Sequence, residues 1–424
     1  MKRCGTGRKR GGLGCALLAL LALPAAPASG QAVAVTLDEA IRLALANSPA
    51  IQAARTAIEQ GRAQEITAGL RPNPLLSWDA QFLPAFHPSL WSGDYAANQM
   101  QFDAGLGYLF ERGGKRSRRV DAARGETGVT EAQVRDAERT LTFNVAQQFV
   151  AVLLAKANLA FAEDALKSYR ETVRLNEERR RAGDISEGDL LKIKIQMLQF
   201  ETDVSAARLS RVQALVSLRQ LVGYESVPAE FDAAGDLAFE KRADRVEELE
   251  ALALRQRPDL RAAALAVDEA RSQVALAEAN GKQDPNITLS YAHASGTSSL
   301  SAFFTIPLAL SNRNQGEIAR TRSVLAQAEF ARTVAEEAVK TDVRNAYEAV
   351  TASAEVVALY ESGYLAQALE SRDITEFAYR RGAASLIDYL DAERSYRTTQ
   401  LAYRQALATY RLAVEQLHEA VGSR

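Results

Sequence analysis

Few residues in this 424-residue chain have the type and spacing to do chemistry. Asp388 and Asp391 stand three apart in a stretch with helical periodicity, which puts both carboxylates on one face. Asp189 holds the first of these positions in a related stretch upstream, and Tyr379 lies one turn before Gly382. Acids gathered around an axis raise the local cation concentration and select by sign; as isolated surface acids they would only complement a helix start. The three histidines, His87, His293 and His418, have no acid or cysteine partner at motif spacing, so no catalytic residue is assigned. Both cysteines, Cys4 and Cys15, lie near the N-terminus, and Met100 and Met197 are the only thioethers beyond it, too few for a soft-metal relay. The GGKR stretch at Gly113 lacks the first glycine and the hydroxyl residue of a phosphate loop and reads instead as a strand-to-helix junction. No cofactor, nucleotide site or metal site is expected.

The elements that must position these residues begin after a leader. Lys2, Arg3, Arg8, Lys9 and Arg10 precede an apolar run at 16–23 and small residues through Gly30, the pattern of a cleaved secretory signal over residues 1–30. The run is too short for a membrane span, which needs about 20 apolar residues, and it follows Cys15, which argues against lipid attachment. Without the five leader cations, 51 Lys and Arg against 53 Asp and Glu become 46 against 53, a formal charge of −7. Nothing in that balance suggests nucleic acid. No later segment reads as apolar enough to span a bilayer as a helix, so a membrane role falls to strands.

The remainder repeats one pattern. LDEAIRLALANSPAIQAA at 37–54 returns as VEELEALALRQRPDLRAA at 246–263, an opening helix in each copy. RAGDISEGDLLK from Arg181 returns as RGAASLIDYLD from Arg381 with one residue of slippage, so that Gly183 falls on Gly382, Ser186 on Ser385 and Gly223 on Gly422. The division is a first repeat at 31–223, a linker at 224–245 and a second repeat at 246–424. Residues 116–181 and 314–381 contain no proline and carry apolar residues at helical spacing, such as Val145, Phe149 and Val152, and Val343, Tyr347 and Val350. Each predicts a continuous helix on the order of 100 Å long, returning after a glycine turn through 187–222 or 386–421. Narrow apolar stripes and abundant alanine point to coiled-coil hairpins.

Between opening helix and hairpin, each copy has two alternating segments bounded by prolines. Leu76, Trp78, Ala80 and Phe82 alternate with polar residues, as do Phe102, Leu106 and Tyr108; Ile287, Leu289 and Tyr291; and Leu300, Ala302 and Phe304. No other segment supplies a core for such apolar faces, whereas a lipid-facing barrel wall fits them. On this reading Trp78, Phe102, Leu289 and Phe304 face lipid, and Asp79, Gln101 and Thr288 face a wet lumen. Four strands cannot close a barrel when the smallest use 8; three chains would supply twelve. The connection at 83–97, with prolines and the aromatics Phe86, Trp91 and Tyr95, reads as an exposed loop.

Tandem halves, two strands per half and hairpins ending in glycine turns together resemble the TolC-type outer-membrane efflux family over essentially the whole chain after the leader. AGLRPNPLLSW from Ala68, GGKRSRRV from Gly113 and PLALSNRNQGEIA from Pro307 are similar to the CzcC-type subgroup, which serves heavy-metal cation pumps. The fold this implies is mainly α with a small β part: a homotrimer with a 12-stranded barrel in outer-membrane lipid and a periplasmic helical tunnel with an equatorial belt near 224–245. The partners implied are a periplasmic adaptor (membrane fusion protein) and an inner-membrane RND-type pump. The spacing of Tyr379, Gly382, Asp388 and Asp391 matches the family's periplasmic gate, to which Asp189 contributes from the first half; in a closed gate the Tyr379 hydroxyl would bond Asp189. Ala384 stands where a gate-locking arginine is found in the family, so that salt bridge is not carried over. The tips, with Arg181, Gly183 and Ser186 in one and Arg381, Gly382 and Ser385 in the other, are implied adaptor-docking sites. Multidrug or type I protein export, and a periplasmic coiled coil that never inserts, are the alternatives.

Overall fold

The computed structural model describes residues 34–424, so the leader and both cysteines lie outside the described residues. The first half contains β1 (Ala34–Val35), α1 (Leu37–Asn47), α2 (Pro49–Gly69), β2 (Leu75–Gln81), α3 (Gly93–Asn98), β3 (Gln101–Leu109), α4 (Lys115–Ala182) and α5 (Glu187–Val222). After β4 (Asp232–Ala233) come α6 (Val246–Gln256), α7 (Pro258–Asn280), β5 (Asn286–Ala294), β6 (Thr297–Thr305), α8 (Gln315–Leu359), α9 (Leu365–Arg380) and α10 (Leu386–Val421).

Each expected opening helix is two helices, broken at a proline. Ser48 and Arg257 precede Pro49 and Pro258 and are driven to extended backbone, with ψ 118° and 124°. Proline then starts the next helix, where its missing N–H costs nothing, and the Ser48 hydroxyl caps α2 by accepting from the Ile51 amide. The 68 residues of α4 form an unbroken helix, about 100 Å long. Its counterpart is not continuous, contrary to the sequence expectation: α8 and α9 are separated by a π-helical turn at Tyr360–Tyr364, in which Gly363 takes φ 134°. Only glycine adopts that backbone without strain.

Three apolar cores hold the helices. Val145, Phe149 and Val152 of α4 pack with Ala40, Ala44 and Leu218 of α1 and α5, beneath Phe231 and Ala233. Val343, Val350 and Val357 of α8 pack with Tyr410, Val414 and Leu417 of α10. Near the hairpin ends Leu166, Tyr169 and Val173 meet Ile193, Phe200, Tyr379 and Tyr389. One stretch within α4 is long and apolar enough to cross a membrane, against the sequence reading, but 44% of it is buried within the chain. Its apolar face belongs to the helical core.

All four long strands form one antiparallel sheet ordered β2-β3-β5-β6. Ala80 faces Phe102, Leu106 faces Leu289, and Ile287 faces Phe304. Since directly paired residues share a face, Trp78, Phe102, Leu289 and Phe304 stand on one side and Asp79, Gln101 and Thr288 on the other. Phe303, Leu75 and Leu109 are large apolar side chains that depart from the pattern, on the polar side. Gly114 and Asn314, both left-handed, turn the chain from strand into α4 and α8.

Candidate functional site

The hairpin ends are built by the same local chemistry twice. Gly183, at φ 88°, ends α4 with its amide donated to the Arg179 and Arg180 carbonyls, and the Asp184 amide bonds Arg179 O at 2.9 Å. Gly382, at φ 76°, follows α9 in the same way, and the Ala383 amide bonds Ala378 O at 2.8 Å. These are the left-handed caps that let a helix stop and reverse. Ser186 then caps α5 and Ser385 caps α10, accepting from the amides of Asp189 and Asp388 at 3.0 and 3.2 Å. Arg180 closes the first tip on Glu187 at 2.8 Å. Arg181 is exposed, and Arg381 lies over the Phe377 ring at 5.1 Å.

The gate residues predicted from sequence are brought together only in part. Asp388 is the third residue of α10 and completes a capping box: its carboxylate accepts from the Ser385 hydroxyl at 2.7 Å and the Ser385 amide at 3.0 Å. Those bonds hold its carboxyl below the ordinary carboxylate range. Asp189 repeats the hydroxyl bond without the amide bond that completes the box, and bonds from the Ser186 hydroxyl and then Lys192 lower its carboxyl as well. Asp391 is exposed, with Arg394 at 3.6 Å. Asp388 and Asp391 share the face of α10 opposite the buried Leu386 and Tyr389.

The expected bond between Tyr379 and Asp189 is absent. The Tyr379 hydroxyl donates instead to Oδ1 of buried Asn176 at 2.8 Å, because Tyr379 points inward between the hairpins while Asp189 is held at its own helix start. Asn176 Nδ2 donates to Thr172 O at 2.8 Å, and the Thr172 and Tyr389 hydroxyls lie 3.4 Å apart. The Tyr379 and Tyr389 rings stack at 5.3 Å, with the Arg179 guanidinium 5.2 Å from the Tyr379 ring. Burial pushes the Tyr379 phenol up and that of Tyr389 to about 12, so both are neutral. Ala384 is half-buried against this cluster.

Sequence reasoning missed Asn176, Arg397 and Glu393. Arg397 ties α10 to Asp203 of α5 and lies 4.1 Å from the Phe200 ring. Glu393 is half-buried, and desolvation raises its carboxyl in spite of Arg372 and Arg397 nearby. A polar residue inside a long helical stripe was the available signal for Asn176. At mid-length the linker lies across the helices: Lys156 donates to Ala233 O at 3.0 Å, Arg211 meets Asp232 at 3.2 Å, and Arg242 meets His418 at 2.9 Å. Among the described residues no three His, Cys, Asp or Glu side chains gather as a metal site.

The profile of the family described as outer membrane efflux protein matches residues 40–224 and 249–423. The chain belongs to that family. Its members are transport conduits of the outer membrane, and this protein is an outer-membrane efflux channel component whose helical body extends into the periplasm. It is 26% identical to the pyoverdine export outer membrane protein OpmQ of Pseudomonas putida, over 91% of this chain and 85% of that protein. It is 24% identical to the cobalt-zinc-cadmium resistance protein CzcC of Cupriavidus metallidurans, over 89% and 88%. Among solved structures the fold is shared with CusC, at a TM-score of 0.74 and 21% identity over 91% of this chain and 92% of that one.

Proposed function

We propose that three copies of this efflux-family chain form a passive conduit for heavy-metal cations, driven by an inner-membrane RND-type pump through a periplasmic adaptor docked on the hairpin tips. The observation that carries the trimer is the open sheet: β2 and β6 are edges without a partner among the described residues, and edges in lipid leave backbone groups unsatisfied unless the sheet closes. Its apolar face gives the lipid side. The linker at 224–245 and the end of α10 then form the belt, and Asp388 and Asp391 of three copies form two acid rings at the gate. Cations as cargo are supported by the CzcC-like motifs and by CzcC among the relatives; export of pyoverdine is favoured instead by OpmQ.

Docking is tested with Gly183→Val and Gly382→Val. A Cβ at either glycine meets no atom within 4 Å, so the effect comes from the left-handed backbone alone, about 1 kcal/mol or more. Both variants should reach the outer membrane as heat-resistant trimers, yet fail to restore cobalt, zinc or cadmium tolerance to a deletion strain. Normal metal tolerance in both sinks the docking assignment; a parent chain that restores pyoverdine export and not metal tolerance sinks the cargo assignment.

A further inference from the structure

The sheet and its connections separate charge sharply. Residues 75–109 and 286–305, which hold all four strands and the links joining them at the end away from the helices, contain no lysine or arginine. The connections at the helix end, 70–74, 110–119, 281–285 and 306–317, contain eight: Arg71, Arg112, Lys115, Arg116, Arg118, Arg119, Lys282 and Arg313. The three acids among them are already engaged, Glu111 by Arg119, Asp284 by Lys115 at 2.6 Å and Glu317 by Arg320 at 2.6 Å. Arg71, Arg112, Arg116, Lys282 and Arg313 have no carboxylate partner among the described residues.

Two of these free cations border a cleft of about 290 Å³ lined by Arg71, Pro72, Tyr108, Phe110, Lys115 and Arg116. Arg116 is anchored through Nε to the Gly69 carbonyl, which leaves its terminal nitrogens available. Glu111 also borders the cleft, but both its oxygens are taken by Arg119. Tyr108 lies on the same sheet face as Trp78, Phe102, Leu289 and Phe304, and its ring meets that of Phe110 edge-on at 4.8 Å. One wall of the cleft is therefore aromatic and continuous with the apolar face; the other is cationic and carries Arg guanidinium groups, whose planar forks match phosphate oxygens.

We propose that this cleft binds the phosphate of an anionic glycerophospholipid in the periplasmic leaflet of the outer membrane. This rests on the membrane placement of the sheet. Lipid phosphates sit at the end of the hydrocarbon band, the level at which the apolar strand face gives way to Arg71 and Arg116. Tyr108 and Phe110 occupy the interfacial depth that aromatic residues favour. The four basic connections thus seat the barrel at one depth, and Arg71 and Arg116 hold one headgroup per chain.

Native mass spectrometry of the detergent-solubilised trimer tests the assignment with phosphatidylglycerol, phosphatidylcholine and inorganic phosphate as probes. The parent should retain phosphatidylglycerol over phosphatidylcholine, and Arg71→Gln with Arg116→Gln should lose about tenfold of that retention. Arg62→Gln, at a site paired with Glu59 and Glu131 further along α2, should keep it. Equal retention in parent and double variant overturns the site, as does displacement of the lipid by millimolar inorganic phosphate. Membrane placement is read separately, by whether the parent fractionates with the outer membrane as a heat-resistant trimer.

Discussion

Tyr379 and Asn176 join the two hairpins through one buried hydrogen bond of 2.8 Å. Removing the phenol hydroxyl leaves the Asn176 carbonyl oxygen without a partner in a buried setting, at a cost of about 1–3 kcal/mol. Tyr379→Phe and Asn176→Ala should therefore both raise resting conductance in planar bilayers. Asp189→Ala should change it little, because that carboxylate is spent on Ser186 and Lys192; the opposite ranking would restore the direct Tyr379–Asp189 latch. The acid rings are a separate question. Multivalent cations added on the periplasmic side should block current in the parent, and Asp388→Asn with Asp391→Asn should relieve the block; a double variant blocked as strongly as the parent removes the rings. Because its cap bonds hold Asp388 below the ordinary carboxylate range, its charge and its contribution to the cap are complete above the unfolded value of about 3.9 and are lost as pH falls through the lower folded one. Gly183, Ser186, Gly382 and Ser385 were readable in the sequence because turn and cap chemistry is local. The partner of Tyr379 was not, since Asn176 lies 203 positions away and a single polar residue on a charged helix looks solvated until a second hairpin covers it.

Strands were legible as elements because lipid imposes strict alternation, and the register of the sheet puts the expected residues on common faces. Arginine on a lipid face costs about 2–4 kcal/mol at the midplane and little in a wet lumen. Phe102→Arg should lower the yield of membrane-inserted trimer far more than Gln101→Arg, although the two are neighbours in sequence. Equal yields would mean that the sheet faces are wrongly assigned. The helices were legible in type but not in continuity. Within the long helix just upstream of the π turn the repeats correspond at a spacing of 198, as in Val145 with Val343 and Val152 with Val350; downstream the spacing is 199, as in Gly183 with Gly382 and Leu218 with Leu417. The second repeat carries one extra residue, and a π turn is how a helix absorbs one. Its trace in sequence is that change of spacing, distinct from the slippage at the tip, where Arg381 stands one residue before its glycine and Arg181 two. Deleting Gly363 should convert α8 and α9 into one helix like α4, leave the tip in register and raise the thermal midpoint of the trimer. A lower midpoint with loss of the trimer would show that the turn is needed for folding.

Assembly follows from what one chain leaves unfinished. A sheet of four strands with two open edges presents unpaired backbone groups that are tolerable in water but not in hydrocarbon, so β2 of one copy must meet β6 of the next. Strand count and apolar alternation made this inferable from sequence; the strand order did not follow from either, because pairing of β3 with β5 joins residues separated by the whole first hairpin. Closure of the sheet also fixes which side chains can be joined covalently between copies. The only cysteines, Cys4 and Cys15, fall in the leader segment, so the rest of the chain offers a background free of thiols. With Ser77→Cys in β2, single cysteines at Ser299, Ser301, Phe303 and Thr305 on the matching face of β6 should be scanned by oxidation. One or two adjacent positions should yield a covalent ladder ending at three chains, and the remainder should not, since barrel shear sets a single height at which the two edges meet. A ladder that stops at two chains would replace the trimer, and the absence of any interchain product at all four positions would show that the edges do not pair.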